Sequence, residues 1–142
     1  MKLILLLTAL LSASVFASDF DETMVLAKQG KASAQSNLGV MYAHGNGVAE
    51  NDAEAVKWYR KAANQGNATA QSNLGRMLTK GEGVTKDHRE AVKWYRKAAN
   101  QGEAYGQYNL GTVYQRGEGV LQDNAEAVKW YRRAAKQGLN LA

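Results

Sequence analysis

Apolar residues early in the chain recur with helical spacing. Ala34, Leu38, Met41 and Tyr42 stand at i, i+4, i+7 and i+8, which predicts a helix over about 32–44 with one apolar face. Gly45 and Gly47 interrupt it and permit a turn with positive φ. A second helix is expected from about Asn51 to Gly66. Its apolar side is Ala55, Val56, Trp58, Tyr59, Ala62 and Ala63, and Lys57, Arg60, Lys61 and Asn64 take the other side.

The pattern then returns. EAVKWYRKAANQG at Glu54–Gly66 recurs without change at Glu90–Gly102, and at Glu126–Gly138 it differs only at Arg133 and Lys136. The period is 36. It is obeyed by Leu38, Leu74 and Leu110, each followed by glycine, and by Trp58, Trp94 and Trp130. Three units result, 31–66, 67–102 and 103–138, each read as a helix A followed by a helix B. Asn51, Asp87 and Asp123 stand where an N-cap is needed, with Glu54, Glu90 and Glu126 three residues on, in a capping-box arrangement. Gly66, Gly102 and Gly138 mark the helix B ends. Gly39 inside helix A is unfavourable for the helix, so a large helix B side chain is expected against it, with Trp58 the candidate.

One helix pair cannot bury such faces alone, but stacked pairs can. The expected fold is all-α: a solenoid of about three stacked antiparallel helix pairs. Residues 18–30 form an N-terminal capping helix whose Asp19, Asp21 and Glu22 face water. Residues 139–142 form a short tail, which leaves helix B of the last unit uncovered and predicts weak self-association there.

The first seventeen residues follow other rules. Lys2 precedes an apolar run, Leu3–Leu11, and Val15 and Ala17 suit a signal-peptidase site. A cleaved signal peptide at 1–17 is expected, and with it a periplasmic or secreted protein. The run is too short for a bilayer span of ~20 residues, so no integral membrane segment is expected after cleavage. With no cysteine, packing alone must hold the fold. The net charge is +5, or +4 without Lys2, too mild to require an acidic partner.

The motif A-x-[AG]-Q-x-N-L-G followed by G-x-G-V and E-A-V-K-W-Y-R-[KR]-A-A-x-Q-G resembles the Sel-one-like repeat, a relative of the tetratricopeptide repeat. Ala32–Gly66, Ala68–Gly102 and Ala104–Gly138 carry it. The turns depart from the family in lacking proline, with Ala49, Thr85 and Leu121 there instead, and Leu78 replaces the aromatic of Tyr42 and Tyr114. The resemblance implies a scaffold for protein–protein interaction, often exported in bacteria. Cysteine-rich relatives are named as β-lactamases or penicillin binders. That branch, and a structural oligomer, are the alternatives; the missing cysteines argue against the enzyme.

Catalytic chemistry finds little support. His44 and His88 occupy non-equivalent positions without a second ligand at helical spacing, so no metal or other cofactor is expected. No serine–histidine–acid set stands out, and no enzyme activity is expected. The Asn67-Ala68-Thr69 sequon is read as capping rather than glycosylation. Lys57, Arg60 and Lys61 recur to form an outer cationic strip. Without interleaved aromatics to stack bases, the strip is read as solvated and no nucleic acid is expected.

Identical segments describe how units stack; they cannot encode a unique partner. Helix A varies at offsets 0, 3 and 7: Ser33, Ser36 and Val40; Thr69, Ser72 and Arg76; Tyr105, Tyr108 and Thr112. These offsets share one helical face, which the resemblance places on the concave surface. The nine residues are the expected binding site for a peptide or protein segment, with Tyr105 and Tyr108 as anchors and Arg76 for an acidic group.

Overall fold

A computed structural model describes residues 19–139. The signal peptide expected at 1–17 and all but the first residue of the tail expected at 139–142 lie outside those residues. Among the described residues seven helices follow in order: α1 (19–28), α2 (Ala32–His44), α3 (Asp52–Asn64), α4 (Ala68–Lys80), α5 (His88–Asn100), α6 (Ala104–Arg116) and α7 (Asn124–Lys136). From α2 onward each packs against its neighbours in the chain, so α2/α3, α4/α5 and α6/α7 are helix A/B pairs in a continuous stack, and α1 packs on the first pair.

The helix ends have local causes. The side chains of Asn51, Asp87 and Asp123 accept from the backbone N–H of Glu54, Glu90 and Glu126 at 3.0, 2.9 and 3.0 Å. The return half of the capping box does not form. Lys57 lies 2.7 Å from the Glu54 carboxylate and Lys129 lies 2.6 Å from that of Glu126, while Glu90 receives Arg60 at 2.6 Å and the Trp94 indole at 3.1 Å. The N–H groups of Asn51, Asp87 and Asp123 already donate to Tyr42, Leu78 and Tyr114 O at 2.8, 3.0 and 2.9 Å, which leaves each carboxylate to other donors. Asn67 caps α4 by accepting from Ala70 N–H at 2.9 Å.

The core is continuous from α3 to α6, with Leu74, Met77, Leu78 and Leu110 fully buried among the alanines and aromatic rings of helix B. At the N-terminal end, α1 lays Ala27, Phe20 and Met24 over Ala34, Leu38 and Trp58. Asp19, Asp21 and Glu22 are exposed. At the other end Val128 is 44% exposed where the equivalent Val92 is 4%.

The neighbour of Gly39 is Tyr59, not Trp58. A Cβ on Gly39 would lie 2.5 Å from the Tyr59 ring, and one on Gly75 would lie 2.5 Å from Tyr95. Trp58 and Tyr59 point about 100° apart around α3. Tyr59 faces its own helix A; Trp58 joins Ala27, Ala34 and Leu38 near the preceding helix. Lys61 lies over the Trp58 ring at 4.6 Å, Lys97 over Trp94 at 4.7 Å and Arg133 over Trp130 at 4.6 Å. The outer cations are thus partly engaged by indoles and carboxylates.

Paired glutamines join the units. Gln71 is buried; its amide donates to Ala63 O at 3.1 Å, and its oxygen accepts from Gln101 at 2.9 Å. Gln35 and Gln65 repeat this one unit earlier, with Gln65 also reaching Gly30 O at 2.9 Å. Gln107 and Gln137 repeat it one unit later. Each seam therefore ties the end of one helix B to the next helix A, and that helix A to its own helix B. Every buried amide in the seam has a partner, as buried polar groups require.

Candidate functional site

Successive helices A approach one another directly, α2 to α4 and α4 to α6, whereas successive helices B form no equally close pairs. The stack therefore closes toward helix A, and α2, α4 and α6 line its inner side.

The nine expected residues fall on these helices with unequal exposure. Ser33 and Thr69 are exposed, and Val40, Arg76 and Thr112 are half-buried. Tyr105 is 62% exposed and Tyr108 36%. Ser36 and Ser72 are each only 5% exposed. Ser72 donates to the Glu103 carboxylate, and Glu103 caps α6 by accepting from Tyr105 N–H at 3.3 Å and from Gly106 N–H. Ser72 thus orients the start of the next helix A and presents no free hydroxyl.

Two hollows lie between α4 and α6. One, of about 270 Å³, is lined by Thr69, Ser72, Asn73, Arg76, Glu103, Tyr105 and Asn109. The other, of about 230 Å³, includes Arg76, Thr79, Tyr95, Asn109, Thr112 and Glu118. They meet at Arg76 and Asn109, so the expected residues of units two and three share one groove. A larger hollow of about 580 Å³ runs along the outer side of α5, at Glu90, Lys93, Trp94, Arg96, Lys97 and Asn100. Its lining belongs to the segment that α3 repeats letter for letter, although Glu90 here takes Arg60 and Trp94 where Glu54 takes Lys57.

The polar groups around the groove are already organised. Arg76 donates to the Glu82 carboxylate at 3.0 Å, so an incoming acidic group would compete with that pair. Thr79 Oγ1 lies 3.1 Å from the Tyr95 hydroxyl, and the Tyr131 hydroxyl donates to Thr112 at 3.0 Å or to Gln115 at 2.8 Å. The Tyr108 and Tyr131 rings are 5.6 Å apart, which props Tyr108 from below. Burial raises the Tyr95 phenol above its ordinary value against the pull of Thr79 and Arg76, and pushes Tyr59 up to about 12. Both therefore stay neutral at physiological pH. On the outer side the Arg60 hydrogen bond, aided by Trp94, holds Glu90 below the usual carboxylate range.

Asn73, Asn109 and Glu103 line this groove but were not among the expected residues. The asparagines recur unchanged at period 36, and a search confined to differences between copies passes over them. Among the described residues there is no grouping of three or more His, Asp or Glu able to hold a metal, and no helix long and apolar enough to cross a membrane.

The Sel1 repeat profile matches residues 32–67, 68–103 and 104–139. Comparison with curated proteins finds no match. Among solved structures, a protective antigen present in uropathogenic Escherichia coli strains, displaying an SLR fold, is 46% identical with a TM-score of 0.81, over 83% of this chain and 25% of that one. A Sel1 repeat protein from Oxalobacter formigenes is 38% identical with a TM-score of 0.79, over 86% of this chain and 50% of that one. This chain thus spans a quarter to a half of those two. Helicobacter pylori cysteine rich protein B shares the fold at 23% identity and a TM-score of 0.68, over 86% of this chain and 90% of that one. With three repeats matched across 32–139, and helix pairs stacked as in those structures, the chain belongs to the Sel1 repeat family.

Proposed function

We propose that this protein is an exported, non-catalytic interaction scaffold whose inner helix A surface binds a peptide or protein segment. Sel1 repeats are generally protein–protein interaction scaffolds, which supports the general role. The observation carrying the specific site is Tyr105. A tyrosine 62% exposed at the lip of this groove has no packing role to explain it. Tyr108 adds a second ring, supported by Tyr131. Such aromatics offer large contact area at small entropic cost.

The contact set is Tyr105, Tyr108, Thr69, Arg76 and Thr112, with Ser33 and Val40 continuing it along the first unit. Ser36 and Ser72 contribute from beneath. The expected location is periplasmic or extracellular, and the mature protein should begin at Ser18 by intact mass. Replacing Tyr105 and Tyr108 by alanine should weaken capture of partners from envelope extract by about 30-fold or more, as loss of a hot spot does. Helicity should not change. Equal capture by the double variant would refute the site.

A further inference from the structure

The mild net charge conceals a separation. Helices α3, α5 and α7 together carry eleven Lys or Arg and four Asp or Glu, a net +7, while the other described residues carry six and nine, a net −3. All eleven cations are exposed except Arg60, which is half-buried. Among the described residues only Lys57, Arg60 and Lys129 of the eleven form an ion pair with a carboxylate. Lys61, Lys97 and Arg133 lie instead over indole rings, which fix a cation without cancelling its charge.

Helix stability alone does not call for this. Lys57/Lys61, Lys93/Lys97 and Lys129/Arg133 are like-charge pairs at i,i+4, each unfavourable in a helix. The helix dipole accounts for cations in the last turn, but Lys93 stands in the middle of α5. The third copy departs from the other two only at Arg133 and Lys136, in place of lysine and asparagine, so one charge is kept and another added. The cations also surround a cavity. Lys93, Arg96 and Lys97 line the hollow of about 580 Å³ along α5, with Trp94 and Asn100. Its one carboxylate, Glu90, is engaged by Arg60 of α3 and by the Trp94 indole. Lys93 therefore lacks the partner that Lys57 and Lys129 have. Arg96 donates to the neutral Tyr114 hydroxyl at 2.9 Å, which leaves its charge uncompensated. An anion entering the hollow meets three cations and no free carboxylate.

We propose that the outer helix B surface docks this protein on an anionic bilayer, with lipid phosphates seated at Lys93, Arg96 and Lys97. This is independent of the peptide-binding reading of the inner groove. The cations extend in two dimensions: Lys93 and Lys97 stand about 6 Å apart along α5, and their equivalents recur on α3 and α7. A bilayer presents its phosphates in two dimensions as well, whereas a linear polyanion is better matched by a single groove. Val128 is the one large apolar residue exposed on these helices, so nothing on them enters the acyl layer, and no fully exposed ring offers a stack to a base. The contact is with headgroups and is screened by salt. Docking through the outer side also leaves the inner side of the stack facing away from the membrane.

The test is co-sedimentation with vesicles of phosphatidylcholine, alone or with about a third phosphatidylglycerol. The protein begins at Ser18, so the apolar run Leu3–Leu11 plays no part. It should sediment with the anionic vesicles alone at about 0.1 M salt and be released at about 0.5 M. Lys93→Gln/Lys97→Gln should weaken binding about 30-fold, roughly fivefold for each cation lost. Lys31→Gln/Lys86→Gln removes the same charge away from helix B and should change binding by less than about twofold. Equal losses in the two pairs of variants would reduce the effect to net charge and overturn the site. Failure to sediment, or equal sedimentation with neutral vesicles, would overturn the docking. So would retention on dextran sulfate without vesicle binding, which would make the partner a soluble polyanion.

Discussion

Gly75→Ala sets two known effects against each other. Alanine favours a helix interior over glycine by about 1 kcal/mol, so propensity alone predicts stabilisation. The added Cβ, however, would sit 2.5 Å from Cε1 and 2.7 Å from Cδ1 of Tyr95. Ordinary carbon contacts lie at about 3.5–4.0 Å, so the ring must retreat by roughly 1 Å. Tyr95 is only 3% exposed, and its hydroxyl sits 3.1 Å from Thr79 on the same helix as the new methyl. It cannot swing into solvent, and overpacking of this kind costs up to about 3 kcal/mol. The net expectation is a loss of about 1–2 kcal/mol, or roughly 4–8 °C in Tm. Thermal and urea unfolding followed by circular dichroism would measure it. Gly111→Ala should cost less, because the contact is 2.8 Å and Tyr131 is only half-buried. In a Tyr95→Leu background the sign should reverse, with Gly75→Ala restoring stability as propensity predicts. A Gly75→Ala protein at least as stable as wild type would refute the packing argument.

Two further predictions concern the seam and the buried phenols. Gln101→Ala removes the donor to the buried Gln71 oxygen and should cost about 1–3 kcal/mol in urea denaturation, although Gln101 itself is exposed; an unchanged midpoint would show that the seam contributes nothing. Tyr59 has its pKa raised from 10.0 to about 12, so folding favours its neutral form. Its contribution is complete below pH 10 and declines as pH rises from 10 toward 12, by at most about 1.4 kcal/mol per pH unit. Tyr59→Phe should flatten the fall in Tm over that window, and an equally steep fall would assign the alkaline sensitivity elsewhere.

The helices were legible in the sequence because their signals are local. Asn51, Asp87 and Asp123 cap α3, α5 and α7, and Gly66, Gly102 and Gly138 follow them with positive φ. What was not legible depends on direction in space. Trp58 and Tyr59 are adjacent apolar residues, and periodicity alone cannot say which one meets Gly39. Ser36 and Ser72 share the face of exposed neighbours but are covered. The glutamine seam was missed because glutamine in a helix ordinarily reads as solvated, and its partner lies 30 residues away. Two glutamines repeating at one period in each unit were the available clue.

The seams between units carry a consequence for folding. Helices α3 and α5 are identical over Glu54–Asn64 and Glu90–Asn100, and the glutamine bonds at each seam use the same atoms. A helix A docked one unit out of place would find nearly the same partners. The side chains therefore define how a helix B meets a helix A without selecting which one. That choice falls to the tether, the short segments around Gly45, Gly81 and Gly117 that hold each helix A beside its own helix B. Connectivity, rather than surface complementarity, keeps the units in order.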